Sequence, residues 1–463
     1  MKALPTAFLE ALRAALPDDA LQTGRAATLA YGVDNSAFHG EAQAVAWPTG
    51  HEQVEAILAA CHAHGVPVVA RGRGSNTTGA SVPVHGGLVL SFERMNRILA
   101  IDPGNRAAVV EPGLLNGDLQ RALAPHGLFW APDPTSAPWS SIGGNLACNA
   151  GGPRAVKYGA CRDNLLALRA VDGRGRGFRS GAAVTKNATG FDLARLLVGS
   201  EGTLALITEA TLLLRPLPQA RRGLRAVYRD TVAAAEAVAR LMAQPVTPAA
   251  VEFMDEAALA LVRQRGVDLP DEAGALLLLE VDGRAATLDE DVGAITEAAR
   301  GEGLIALDSA ADASALADLW AARKALSPAL KSLAPDKINE DVVVPVSRLP
   351  DLVAACRQLA AAHPIAIVCF GHAGNGNLHV NLMFDRADPV QAAAAAQCLD
   401  AVFERVLALG GALSGEHGIG LGKRDFMARA LQPATLDLMR AIKRQFDPAG
   451  LLNPGKLLPD ATP

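Results

Sequence analysis

The stretch running from Ala131 to Gly159, APDPTSAPWSSIGGNLACNAGGPRAVKYG, decides how the first half of the chain is read. It packs Pro132, Asp133, Ser141, the pair Gly143-Gly144, Asn149, the pair Gly151-Gly152 and Tyr158-Gly159 into one irregular, glycine-bearing run. Upstream, VPVVARGRGSNTTGASVP (66–83) sets a Gly/Ser/Asn/Thr loop directly after a buried strand, beside Arg71 and Arg73. Downstream comes TKNATGFDLARLLVGSEGTLALITEATLLLRP (185–216). Backbone amides with small side chains, together with two guanidinium groups, can approach a pyrophosphate closely. The first loop is not GxGxxG, because position 77 is Thr and no helix follows, and GK[ST] is absent. One such loop alone reads as an ordinary turn, whereas three in one half of the chain imply backbone wrapped around a large ligand.

These segments resemble the FAD-binding domain of the vanillyl-alcohol-oxidase type flavoproteins, whose hallmarks are RGxGxxTxG, SIGGNxAxNAGG and GSEGTLxxITEAxL. The resemblance implies two small α+β subdomains with FAD between them. It puts Arg71, Gly72, Arg73, Gly74, Ser75, Asn76 and Thr77 at the pyrophosphate. Pro132, Asp133, Ser141, Gly143, Gly144, Asn149, Gly151, Gly152, Tyr158 and Gly159 would lie along the ribityl chain and isoalloxazine. Glu201, Gly202 and Ile207 of the third segment, with Asn453 near the C-terminus, complete the expected cofactor set. Some members attach FAD through a histidine in the first loop; RGRGSN has none, so non-covalent FAD is expected, and His85 in PVHGG reads as a turn residue.

At 463 residues the chain exceeds one ordinary core, so two or three domains are expected. A net charge of −5 without a dense Lys/Arg block, and 4% aromatic residues, exclude nucleic acid as a natural partner. Six scattered cysteines without CxxC suit free thiols in a reducing compartment. The N-terminus reads as an amphipathic helix lacking the apolar run of a signal peptide or membrane span, so a cytoplasmic protein is expected. The fold class is α+β. An N-terminal helical segment (1–38) precedes the FAD-binding domain (39–218), and composition shifts at about Pro218. A substrate, or cap, domain (219–410) follows, whose rhythm predicts a mainly antiparallel sheet with helices on one face. A C-terminal segment (411–463) returns to the FAD site.

The second half turns on FGHAGNGNLHVN (370–381). Strand-like IAIVCF and LHVNLMF are joined by a glycine-rich connection, so that His372 closes the first strand and His379 opens the second. His379 and Asn381 share one face, and Leu378, Val380 and Leu382 the other. Two imidazoles plus a carboxylate, for which Glu416 in SGEHGIG is the candidate, make a three-ligand set with open positions, the layout of a catalytic zinc site. The spacing HxxxxxxH is not itself a metal signature; histidines that merely hydrogen-bond within a hairpin are the competing reading.

GHAGNGNLHVN, GEHGIGLGKR and FDPAGLLNPGKLLP resemble the C-terminal part of the FAD-linked 2-hydroxy-acid dehydrogenases, a group that includes D-lactate dehydrogenase, D-2-hydroxyglutarate dehydrogenase and the flavin subunit of glycolate oxidase. With the first half, the likeness runs from about residue 40 onward. It implies His372, His379 and Glu416 as metal ligands and His417 as the catalytic base. Nitrogen and oxygen ligands favour zinc, although Mn, Fe or Co can occupy the same set. One departure is Asn375, where the group has Asp, which removes a negative charge near the ligands. The chemistry expected is chelation of a 2-hydroxy acid by one divalent ion, removal of the hydroxyl proton by His417, and hydride transfer from the alpha carbon to flavin.

For the substrate, LWAARKALSPALKSLAPDKINEDVVVP (319–345) places Arg323 and Ser327 four residues apart on one helical face, with Lys337 ahead of a strand. An Arg–hydroxyl–Lys cluster suits a second carboxylate. It is similar to the set in the D-2-hydroxyglutarate dehydrogenases, with Ser327 in place of Thr. D-2-hydroxyglutarate is therefore the expected substrate, with Asn381 also in the pocket. D-lactate, a glycolate-oxidase subunit role, and an oxygen-using flavin alcohol oxidase are the alternatives, and DVVVPVSRLPDLV reads more like the lactate group. The electron acceptor would be an electron-transferring flavoprotein, a quinone or a cytochrome. No iron–sulfur cysteine motif is present, so any such cluster lies on another chain. A homodimer stays open.

Overall fold

Short apolar runs bounded by Gly and Pro become the strands of three principal sheets in a computed structural model that describes residues 3–310 and 313–460. The chain divides into two units. The first comprises Met1–Gly151, Gly159–Leu217 and Glu416–Pro463; the second comprises Gly152–Tyr158 and Pro218–Gly415.

In the first unit, VPVVAR forms the strand Val68–Arg71, parallel to Leu88–Ser91, which is in turn parallel to Ala44–Ala46. Parallel pairing requires a crossover, and the helix His51–His64 lies between Ala44–Ala46 and Val68–Arg71 in the chain, ending on Gly65 in the left-handed region at φ 64°. The amphipathic N-terminal helix, Thr6–Ala15, buries Phe8 and Leu12 in one core with Val54, Ile57 and Leu58. A second, five-stranded antiparallel sheet runs Ile98–Asp102, Ala107–Val110, Ala205–Leu213, Leu165–Asp172, Gly177–Gly181. Its core centres on fully buried Trp130, whose indole donates to Asn164 O at 3.0 Å.

The second unit is built on a seven-stranded antiparallel sheet. Its order is Leu304–Ser309, Ala220–Tyr228, Ala275–Gly283, Ala250–Asp255, Ala366–Gly371, Asn377–Phe384, Asp336–Val343. Helices cover both faces, not one. Leu276, Leu278 and Met254 share a core with the helix Glu256–Arg263 and with Leu326 and Leu330. On the opposite face, Tyr228 donates to Ala299 O of the helix Leu288–Ala299 at 2.7 Å. The physical reason is legible in ALLLL (275–279), a strand apolar at five successive positions, which must be sheltered on both sides.

The segment Gly152–Tyr158 belongs to the second unit although it sits within the glycine-rich stretch. Arg154 Nη2 meets Glu280 at 3.1 Å, Lys157 Nζ meets Asp282 at 2.5 Å, and the Tyr158 hydroxyl donates to Asp282 at 2.8 Å. All six cysteines are free thiols, Cys148 half-buried and the others buried. Among the described residues, no helix is long and apolar enough to cross a membrane.

Asp255 caps the helix Glu256–Arg263, accepting from Ala258 N at 2.8 Å and from Cys369 N at 2.6 Å. Burial pushes its carboxyl up to about 7, against those two bonds. A folded-state pKa above the unfolded value contributes stability that is fully present below the unfolded pKa and lost as pH rises through the folded one. The urea midpoint is therefore expected to fall between pH 5.5 and 8.5 by the equivalent of about 2 kcal/mol. Chemical denaturation of wild type and Asp255→Asn checks this, since the variant should lose that part of the pH slope; an unchanged slope would refute the assignment.

Candidate functional site

The hairpin forms as its alternation demands. Phe370 is registered opposite His379 and Val368 opposite Asn381. The first strand ends at Gly371, so His372 stands one residue beyond it, before the short turn Ala373–Asn375. Gly376 takes φ 69°, and a Cβ there would lie 1.9 Å from Val344 O, so only glycine fits that turn. The two imidazoles lie edge to face with centroids 5.2 Å apart, and both histidines are buried. Asn375 is exposed at the tip.

A buried carboxylate that the sequence reading missed stands behind His372. Glu252, on the strand Ala250–Asp255 and 0% exposed, accepts from His372 Nδ1 at 2.5 Å through Oε1. Through Oε2 it accepts from Arg323 Nε at 2.7 Å. Burial alone would push this carboxyl up; the charges of His372 and Arg323 outweigh burial and hold it below the usual range. The signal was a Glu set between Val251 and Phe253, where an unpaired buried charge would be prohibitive.

Arg323 is buried, with its guanidinium 4.6 Å over the Phe370 ring, which contacts His379 at 5.9 Å. Ser327 and Lys337 are exposed. Asn381 is fully buried, with Nδ2 donating to Val368 O at 3.0 Å. Asn339, also missed, is its cross-strand partner. The Oδ1 atoms of both are buried without a hydrogen-bond partner among the described residues, two acceptors on one face of the sheet. Asp341, registered opposite His379, accepts from Ser414 Oγ at 2.9 Å and from Gly415 N. Glu416 follows Gly415 by one peptide bond, where the chain passes to the first unit.

In the first unit, His417 and its neighbours are held by the backbone of their loop. Asn76 Nδ2 donates to His417 O at 2.8 Å. Glu201 accepts from Ile419 N at 2.6 Å and from Gly420 N at 2.8 Å. Gly418 takes φ 83°, and a Cβ there would approach Glu201 Oε1 to 2.6 Å. Glu201 is itself buried at φ 53°, and burial pushes its carboxyl up to about 7. His417 Nε2 lies 3.9 Å from the Glu416 carboxylate. Irregular backbone thus lets two sequence neighbours face one another, as the flanking glycines suggest.

The loop expected at the pyrophosphate leaves the strand Val68–Arg71. Arg71 is buried, donates to Val33 O at 2.6 Å and packs over Tyr31. Gly72 lies against Ser141, whose Oγ a Cβ would meet at 2.2 Å, and Gly74 turns at φ 65°. Arg73 faces Glu93 at 3.9 Å. Ser75 is half-buried. Asn76 Oδ1 accepts from Thr78 N at 2.8 Å and Ala80 N at 3.1 Å, which closes the loop. The Thr77 hydroxyl is buried without a hydrogen-bond partner among the described residues.

Around the second stretch, Pro132 O accepts from Asn116 and Asp133 N donates to Gly151 O. Ser141 caps the helix Ile142–Cys148, accepting from Gly144 N at 3.3 Å, while Gly143 is pressed on Pro112. Asn149 at φ 52° and Gly159 at φ 79° form tight turns. Gly202 takes φ 70°, and Ile207 lies in the core of the antiparallel sheet. Asn453 ties the C-terminal segment in, donating to Ala80 O and Glu201 O and accepting from Lys456 at 2.7 Å. Gly152 and Tyr158 belong to the second unit, with Tyr158 bonded to Asp282.

Comparison with known proteins identifies the family. Residues 42–181 match an FAD binding domain, and residues 217–457 match the C-terminal domain of FAD linked oxidases. The chain is 39% identical over 415 residues to the glycolate oxidase subunit GlcD of Bacillus subtilis (strain 168), covering 89% of this chain and 88% of that protein. It is 34% identical over 440 residues to a D-2-hydroxyglutarate dehydrogenase of Stutzerimonas stutzeri (strain A1501), covering 92% and 94%. The fold is shared with p-cresol methylhydroxylase, at TM-score 0.80 and 18% identity over 97% of this chain and 96% of that one. With an FAD-binding half, an FAD-oxidase half and relatives of this identity over most of its length, the chain belongs to the FAD-linked oxidase family and is an FAD-linked oxidoreductase.

Proposed function

We propose that the protein is a metal-assisted dehydrogenase that oxidises a D-2-hydroxy acid to the 2-oxo acid, with D-2-hydroxyglutarate as the leading substrate. The observation that carries this reading is the pair His372 and His379, 5.2 Å apart on a buried hairpin of an FAD-linked oxidoreductase. An oxygen-using alcohol oxidase on this fold has no use for that pair. Non-covalent FAD supplies the two-electron acceptor when bound, and a divalent ion, zinc by the donor set, supplies Lewis acidity. His372, His379 and Glu416 would hold the ion. The donor set fits: His372 donates from Nδ1 to Glu252, which leaves Nε2 as its ligand atom. The loop around Gly72, Gly74 and Thr77 would hold the FAD pyrophosphate.

His417 takes the substrate hydroxyl proton, acting from a loop whose backbone is fixed at three points by Asn76 and Glu201. Arg323 and Asn381 orient the acid, and Lys337 with Ser327 would meet a distal carboxylate. The two electrons removed from the acid would then reduce an acceptor of the electron-transferring flavoprotein, quinone or cytochrome class.

A second reading, a small monocarboxylate such as glycolate or D-lactate, is favoured by three observations. Ser327 and Lys337 are exposed, Arg323 already serves Glu252, and the relative at 39% identity is named a glycolate oxidase subunit. Anaerobic flavin bleaching with D-2-hydroxyglutarate, D-lactate, glycolate and their L-isomers separates the readings. Fastest bleaching by D-2-hydroxyglutarate is expected, with Lys337→Ala raising its KM about 10-fold or more, the loss of one charge-assisted hydrogen bond. Bleaching by glycolate or D-lactate alone would establish the second reading.

A further inference from the structure

The group resembled here carries an Asp where this chain has Asn375, yet Asn375 is exposed at the hairpin tip and a buried carboxylate stands elsewhere, on the strand next to the hairpin. We infer that Glu252 is the positioning residue of this site, one carboxylate that orients a metal-binding imidazole and a substrate-facing guanidinium together. The inference rests on the proposed function and adds a residue to it.

The geometry follows from register. Phe253 pairs with Gly371, so Glu252 sits beside the point where the chain leaves the strand and His372 begins. Glu252 Oε1 receives the Nδ1 hydrogen of His372 at 2.5 Å, which fixes the tautomer and aims Nε2 away from the carboxylate. Oε2 receives Arg323 Nε at 2.7 Å, so Arg323 is held by its Nε edge and by the Phe370 face, and neither hold uses its two terminal nitrogens. Each oxygen thus has a donor, as a carboxylate with no exposed surface needs. Glutamine has the same shape but one acceptor oxygen; its amide NH2 must oppose either His372 Nδ1–H or Arg323 Nε–H.

The test uses the FAD holoenzyme. Glu252→Gln is expected to weaken zinc retention 10- to 100-fold in competition with a chromophoric chelator. KM for the acid should rise as well, because Arg323 loses its anchor, while flavin absorbance and melting temperature confirm an intact fold. Zinc affinity and KM equal to wild type in a folded variant would overturn the inference while leaving the metal reading intact. A wild type that retains no divalent ion would overturn both. Should the variant not fold, the wild type answers directly: 15N spectra of histidine-labelled protein, with His372 assigned through His372→Gln, should show His372 protonated at Nδ1. Protonation at Nε2 would refute the role of Glu252 without any substitution at that position.

Discussion

Replacing His417 with Asn should lower kcat about 10²- to 10⁴-fold while FAD content and melting temperature stay near wild type. The magnitude is that of a lost general base, and the selectivity follows from how the loop is held. Asn76 bonds the carbonyl of residue 417, not its ring, and Glu201 bonds the amides of Ile419 and Gly420. The imidazole can therefore go without releasing the backbone. Steady-state kinetics with the best bleaching substrate, read beside the flavin spectrum, make the check. A kcat within tenfold of wild type would remove His417 from the chemistry.

Stripping the metal, by chelator or by His379→Ala, should cost at least about 10² in kcat/KM, since a Lewis acid supplies several kcal/mol of charge stabilisation. Zinc should restore the chelated wild type and leave His379→Ala inactive. The two arms matter together: a chelator can inhibit by unfolding or by binding the enzyme, whereas His379→Ala alters only one side chain on a strand paired along both edges. Chelation that changes nothing would return the hairpin to the plainer reading, histidines that hydrogen-bond within a buried turn.

Much of this was readable beforehand because it depends on local rules. The glycine-rich runs marked the cofactor half, since close backbone approach demands residues without Cβ; Gly72 against Ser141 is the case in point. The hairpin was readable because alternation has period two: His379 and Asn381 had to share a face once LHVNLMF was a strand. The N-terminal helix, with Phe8 and Leu12 buried, followed from its spacing. Helices on one face of the larger sheet were expected wrongly, although the unbroken apolar runs already indicated cover on both sides.

Glu252 shows the limit from the other direction. A single Glu in AVEFMD signals a paired buried charge, but nothing local says that its partners lie 71 and 120 residues away, at Arg323 and His372. Likewise, nothing local says that Arg154, Lys157 and Tyr158 find Glu280 and Asp282 more than a hundred residues on. The sequence by itself determined which segments form strands, which loops must be glycine, and which residue types can bind flavin or metal, because steric and periodic constraints act between near neighbours. Only the tertiary structure decided which buried charges meet. Strand order brings distant registers side by side, and in a low-dielectric interior a carboxylate goes wherever the fold offers it donors.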